Sequence, residues 1–393
     1  MDLNYSPEEL AFRDEVRGWL DANLPADIRD KVTQYKGMSK DDIMRWHKIL
    51  AAKGWAVPHW PVEWGGTGWD VTQRYLYEEQ FGLAGAPALP PFGPSMCASV
   101  LLKFGTPQQK ERFLPRIREG DDFWVQGYSE PGAGSDLAAL KTRAVRDGDV
   151  YRVTGQKIWT TLGHFGDWIF CLVRTDPTAE KRQEGISFLL IDMQTPGITV
   201  RPLILMDGGH EVNEVFFDDV AVPVQNLVHE ENRGWTVAKY LLGHERMGSG
   251  NVGGSRRELA ALKALAQREQ KGGKPLIDDP RFRDRLSRVE IELDALELTS
   301  MRFLDKMRRS GQPPGADVSM LKIRGTEVQQ MITELMMQAA GPMAQPFKAV
   351  EGGAIDHFSS RLAPRYFNYR KASIYAGSNE IQRNIIAKMT LGL

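Results

Sequence analysis

The spacing of apolar residues changes twice along the chain. In the first third, Leu10, Val16 and Leu20 recur at roughly helical spacing. They follow Ser6-Pro7-Glu8-Glu9, a capping box with proline at the first helical position. Ser39 to Asp42 and Thr106-Pro107-Gln108-Gln109 repeat that start signal. Between them, the Trp-, Gly- and Pro-rich stretch 54–69 reads as a packed connector, because aromatic density alone does not make a ligand site. From about Trp124 the helical phase disappears. Segments 149–161, 167–176, 185–193, 197–203 and 213–223 are short runs rich in Val, Ile, Phe and Thr, divided by Gly, Asp and Pro. Tyr151 and Val153 alternate with Arg152 and Thr154, as in a half-buried strand. Such a run of strands predicts an antiparallel sandwich or barrel.

After Gly234 helices return. Phe282, Leu286, Val289, Leu293, Leu296, Phe303 and Met307 follow alternating steps of four and three, with Ser300 filling the missing position. Val318, Leu321, Val328, Ile332 and Leu335 form a second seam, and the KGGKP stretch 271–275 reads as a linker. Helices, then strands, then helices predict an α+β chain with domains at 1–122, 123–233 and 234–393.

Composition narrows the class without naming a chemistry. The 393 residues carry 50 Lys plus Arg against 51 Asp plus Glu, a formal charge of −1, which lacks the basic footprint of a nucleic-acid binder. No apolar run approaches the ~18 residues of a membrane span. The acidic N-terminus MDLNYSPEEL lacks the charged and apolar regions of a secretory signal. Cys97 and Cys171 sit in apolar surroundings that suit buried thiols. The expectation is a soluble, cytoplasmic protein with no nucleic-acid or membrane partner.

Several familiar signals are decoys. Gly248-Ser249-Gly250-Asn251-Val252-Gly253 matches a dinucleotide fingerprint by letter but follows a helical segment rather than a strand. The seven histidines include no HExxH, so no metal site is expected. Three other segments carry more. YSEPGAGSD at 128–136 combines glycines, which let backbone N–H groups approach a ligand, with the hydroxyls of Ser129 and Ser135. GQKIWTT at 155–161 ends a strand with Trp159 beside two hydroxyls, suited to stacking on a flat ring and bonding its polar edge. LLGHERMGSG at 241–250 places Glu245 and Arg246 among small and apolar neighbours, where a carboxylate's charged form is disfavoured and the group becomes a credible base.

In order and spacing, these three segments and the C-terminal IYAGSNEIQRNIIAK at 374–388 resemble the acyl-CoA dehydrogenase family across nearly the whole chain. The resemblance implies an N-terminal helical domain, a middle antiparallel β-barrel-like domain and a C-terminal four-helix bundle. It implies FAD as cofactor and α,β-dehydrogenation of an acyl-CoA thioester as reaction. Many members carry the base as I-Y-E-G, whereas this chain has Ile374-Tyr375-Ala376-Gly377. A minority carries it one residue before the Arg of an ER pair, the position of Glu245, so Glu245 becomes the expected base, with the Ala376 N–H polarising the thioester. By the same carry-over, Tyr128, Ser129, Gly134, Ser135, Trp159 and Thr161 would contact the flavin, and Gln338, Ser378 and Glu380 more distant parts of FAD. Ser135, Arg246 and Tyr375 would contact the substrate. The R-x-x-F-G element reads Glu269-Gln270-Lys271-Gly272-Gly273, or begins one residue earlier at Arg268, and Q-x-x-G-G reads Gln338-Ala339-Ala340-Gly341-Pro342. Both weakened elements normally serve a neighbour's cofactor. The chain therefore looks most like large subunits of heteromeric members such as pimeloyl-CoA dehydrogenase. Implied partners are an electron-transfer flavoprotein and a homo- or hetero-oligomer, the latter with a smaller homologous subunit. The alternatives are a catalytically silent or cofactor-sharing subunit and an acyl-CoA oxidase.

Overall fold

The computed structural model describes residues 4–244, 250–312, 314–345 and 357–393. Six helices open the chain: α1 (Pro7–Asn23), α2 (Ala26–Thr33), α3 (Lys40–Lys53), α4 (Val71–Ala84), α5 (Ala98–Phe104) and α6 (Pro107–Glu119). The starts anticipated at Ser6, Ser39 and Thr106 are complete capping boxes, each satisfying two otherwise orphaned N–H groups. The connector before α4 is packed as expected. Trp55 lies edge-on to Trp69 and Tyr77, and Trp19 closes the cluster from α1.

The middle of the chain forms β1 (Trp124–Gly127), β2 (Arg143–Asp147), β3 (Val150–Thr161), β4 (Trp168–Arg174), β5 (Ile186–Asp192), β6 (Ile198–Ile204), β7 (His210–Pro223) and β8 (Leu227–Val228). The order is β6-β7-β3-β2-β4-β5-β8, with β1 beside β4. The sheet is antiparallel except at two contacts. β1 runs parallel to β4, and β2 meets β4 in parallel at Arg143 and Arg174. Both parallel contacts join strands that are not consecutive, with β2 and β3 between β1 and β4 and β3 between β2 and β4, as a parallel neighbour needs a crossover rather than a tight turn. Trp168 to Val173 are all buried because β4 is covered on both faces. Phe170 and Leu172 join the core shared with the N-terminal helices, while Ile169, Cys171 and Val173 join a core within the sheet domain. Cys97 and Cys171 are both buried free thiols.

The last part comprises α7 (Gly234–His244), α8 (Val252–Arg268), β9 (Gln270–Lys271), β10 (Lys274–Pro275), α9 (Pro280–Ser310), α10 (Ser319–Ala340), α11 (Leu362–Tyr369) and α12 (Asn379–Ile386). The two predicted seams are the buried faces of α9 and α10, packed with α8 into a separate core. The expected linker 271–275 is instead a closed hairpin. Gly272 and Gly273 at its tip have φ of +61° and +77°, the paired left-handed values that a tight two-residue turn requires and glycine adopts freely. α4 crosses α8 where Gly82 meets Gly253 and Gly254, a backbone approach that leaves no room for a Cβ. Among the described residues no helix is long and apolar enough to cross a membrane.

Candidate active site

The 128–136 loop is held from beneath by a buried ion pair. Glu130 and Ala133 exchange backbone hydrogen bonds of 3.0 and 2.9 Å around Pro131-Gly132, and the Ile158 N–H donates to the Ser129 carbonyl at 2.9 Å. The fully buried Lys157 ammonium donates to Glu130 Oε1 at 2.8 Å and to the Tyr128 and Leu172 carbonyls at 3.2 and 2.7 Å. Burial disfavours the Glu130 carboxylate. The Lys157 charge and the Lys141 and Thr142 donors outweigh it, holding its pKa below the ordinary value. The turn so fixed leaves Ser129 half-buried and Gly134 and Ser135 exposed on the rim, with no atom within 4 Å of a would-be Cβ at Gly134. The Tyr128 ring is buried and packs edge-on against Phe170 and Phe188.

At the end of β3 the strand carries one extra residue against β7 between Lys157 and Thr160. Trp159 takes up that bulge in a left-handed conformation, φ +61°, and its side chain stands 56 % exposed on the sheet surface. Thr160 points inward, and its buried hydroxyl has no partner among the described residues; Thr161 is half-buried. A large exposed indole, an open glycine rim and the hydroxyls of Ser129, Ser135 and Thr161 fit a flat ligand with polar edges, as the flavin of FAD is.

A third segment is tied to this place. Leu162, directly after β3, donates its N–H to the Glu211 carbonyl at 2.7 Å. The Glu211 carboxylate pairs with Lys371 and accepts from Asn368 at 3.0 Å, and Asn368 also donates to Asp207 at 2.6 Å. These contacts dock the end of α11 on the β7 end of the sheet, so the turn that follows starts beside the end of β3. In it Tyr375 is 53 % exposed, and Ala376 and Gly377 have φ of +52° and +79°. Among the described residues the Ala376 N–H makes no backbone hydrogen bond, which leaves it available to an acceptor. Ser378 caps α12 by accepting from Ile381 at 3.3 Å, and Glu380 extends into solvent on its first turn.

Not every expected residue joins the cluster. Gln338 lies on the exposed face of α10, bonded to Arg285 and to Glu334 at 3.1 Å, and does not reach the loop in its own chain. Glu245 and Arg246 fall outside the described residues. Sequence reasoning missed Glu130, Lys157, Glu211 and Lys371. One signal for Lys157 was present, since it shares the inward period of Tyr151, Val153 and Gly155.

Comparison with known proteins identifies the family. Family models described as the N-terminal, middle and C-terminal domains of acyl-CoA dehydrogenase match residues 6–121, 126–220 and 232–391. Acyl-CoA dehydrogenase IpdE1 of Mycobacterium tuberculosis is 38 % identical over 394 residues, covering 97 % of each chain. Among solved structures, a chain of the ChsE4-ChsE5 complex from Mycobacterium tuberculosis superposes with a TM-score of 0.84 at 32 % identity, over 100 % of this chain and 99 % of that one. A chain of the Tcur3481-Tcur3483 steroid ACAD does so at 0.86 and 30 %, with the same coverage. With all three domains matched in order, the chain belongs to the acyl-CoA dehydrogenase family of FAD-dependent oxidoreductases.

Proposed function

We propose that this chain oxidises an acyl-CoA thioester to the 2-enoyl-CoA with Glu245 as the base that removes the α-proton. The observation that carries this reading is the Ala376 turn. It is tethered through Lys371, Asn368 and Glu211 beside the end of β3, where Trp159 stands, yet its methyl side chain cannot accept a proton. A carboxylate is therefore needed from another element, and Glu245, next to Arg246 after α7, supplies it.

When bound, FAD supplies the two-electron acceptor for the β-hydrogen. The chain's own residues do the rest. Trp159, Ser129, Ser135 and Thr161 hold the flat cofactor, Tyr375 and Ser135 border the acyl group, and Arg246 binds the CoA arm. The Ala376 N–H donates to the thioester oxygen. That bond strengthens as negative charge grows on the oxygen during proton removal, so it favours the transition state over the ground state. The Cα–H pair stays behind as the proton passes to Glu245, and it becomes the new C=C bond as the β-hydrogen leaves with its own pair.

Gln338 faces outward with Arg285, an orientation suited to serving a neighbouring chain's cofactor. The likeness to chains of the ChsE4-ChsE5 complex and of a steroid ACAD supports a hetero-oligomer acting on a ring-bearing acyl group. An electron-transfer flavoprotein is the proposed acceptor.

Glu245→Gln tests the assignment. Turnover should fall by roughly 10²–10⁴ while bound flavin stays at the parent ratio. Activity within a few-fold of the parent would overturn it.

A further inference from the structure

The bundle holds a polar cavity that the proposed reaction does not use. It lies between α8, α10 and α11, has a volume of about 20 Å³, and is lined by Ser255, Arg257, Glu258, Thr333, Arg365 and Tyr369 among others. That is room for a single water or an ion of similar size.

Its wall is unbalanced in charge. The Glu258 carboxylate accepts from Arg257 at 2.8 Å and from the Tyr35 hydroxyl, and it forms an ion pair with Arg365 at 3.0 Å. Among the described residues neither arginine pairs with any other carboxylate, so two guanidinium groups face one acid. The Arg365 guanidinium is also stacked on the Tyr35 ring at 3.9 Å and the Tyr369 ring at 4.6 Å, which fixes its orientation. Two donors are left over. Ser255 is 1 % exposed and its hydroxyl has no partner, and the Arg365 Nε–H is likewise buried without an acceptor. Buried donors without acceptors are rare and usually mark a water or an ion.

We propose that this cavity binds a small inorganic anion of halide size, accepting from the Ser255 hydroxyl and the Arg365 Nε–H. A water would satisfy the donors but leave the second, only partly exposed guanidinium without a counter-charge among the described residues, whereas a monovalent anion answers both. The site lies between the start of α8 and one arm of the candidate active site. Ser255 sits in the first turn of α8, ten residues after Glu245 in sequence. Thr333, on the opposite wall, accepts from Arg370 at 3.2 Å in the turn that leads to Tyr375 and Ala376.

The test uses bromide on the holoenzyme and needs no substrate, so its failure leaves the dehydrogenase reading untouched. Sodium bromide should raise Tm along a saturating curve, while sodium sulfate of equal ionic strength, whose anion is larger and divalent, should not. A bromide-soaked crystal should show an anomalous peak between Ser255 and Arg365. Ser255→Ala should shift the half-saturating bromide concentration about tenfold upward, the loss of one hydrogen bond to a charged group. Water alone in the cavity of the soaked crystal would overturn the proposal. So would an equal Tm rise with sulfate, or an unshifted curve in Ser255→Ala.

Discussion

The Lys157 ammonium and the Glu130 carboxylate meet at 2.8 Å with neither side chain open to solvent, one on the strand that presents Trp159 and the other in the loop that presents Ser129. Their pairing sets the distance between the two segments assigned to the flavin. Breaking a buried pair from one side strands the other charge, which costs about 3–5 kcal/mol. Lys157→Met should therefore lower stability by that order and release FAD. Adding Glu130→Gln should recover part of the stability, because the stranded charge is removed. Thermal melts of the single and double variants, read as a double-mutant cycle, check this; strictly additive losses would show that the pair is not coupled.

Trp159 offers an exposed aromatic surface to a flat ligand, and its left-handed backbone holds the indole out from the strand. Trp159→Ala should weaken FAD binding by roughly 10–100-fold, from lost stacking and apolar contact of about 1.5–3 kcal/mol. Trp159→Phe should fall between Ala and the parent. Flavin fluorescence titration of the apoprotein reads both. Unchanged affinity in the alanine variant would remove Trp159 from the cofactor site.

The elements were legible because caps and periods are local. Ser6, Ser39 and Thr106 marked their helices, and the four-three seam from Phe282 to Met307 lies along α9. The hairpin at 271–275 was misread because two adjacent glycines serve a loose linker and a tight turn equally, and only the pairing of Lys271 with Lys274 decides between them. The site was legible only in part. Trp159 and the 128–136 loop could be named from residue types, but Glu130 and Lys157 are 27 positions apart and meet only once the chain has folded. Glu211 and Lys371 are 160 apart and carry no shared motif.

The crossing of α4 and α8 is as tight as backbones allow. A Cβ at Gly253 would run into the Glu79 carbonyl, and one at Gly82 into the Gly253 and Gly254 backbone. No flexible side chain can yield there. Gly253→Ala should push the helices apart, destabilise by about 1–3 kcal/mol and lower Tm by several degrees. It also displaces the start of α8, seven residues after Glu245 in sequence, so kcat should fall in folded protein at temperatures well below the transition. A melt and a steady-state assay together check this, and an unchanged Tm would mean the helices can separate without loss.

His47 makes stability depend on pH in a definite direction. Its ring is buried, with Nε2 3.1 Å from the Arg118 carbonyl, and Gly120 closes over it at φ +67°. Burial lowers its pKa, and the Arg118 carbonyl with Glu119 and Asp121 only partly opposes that. In the unfolded chain the imidazole takes a proton near pH 6.5; in the folded protein it does so only at lower pH. Between those values the unfolded state binds the extra proton, so stability is complete above about pH 6.5 and is lost as pH falls toward the folded value. One such group contributes at most about 1.4 kcal/mol per pH unit. His47→Gln keeps a donor for the Arg118 carbonyl but does not titrate. Its Tm should fall less steeply than the parent's between pH 7 and 5, after a lower start at pH 7. Both proteins share every carboxylate, so acid effects from those groups cancel in the comparison, and parallel profiles would show that His47 is not the source of the slope.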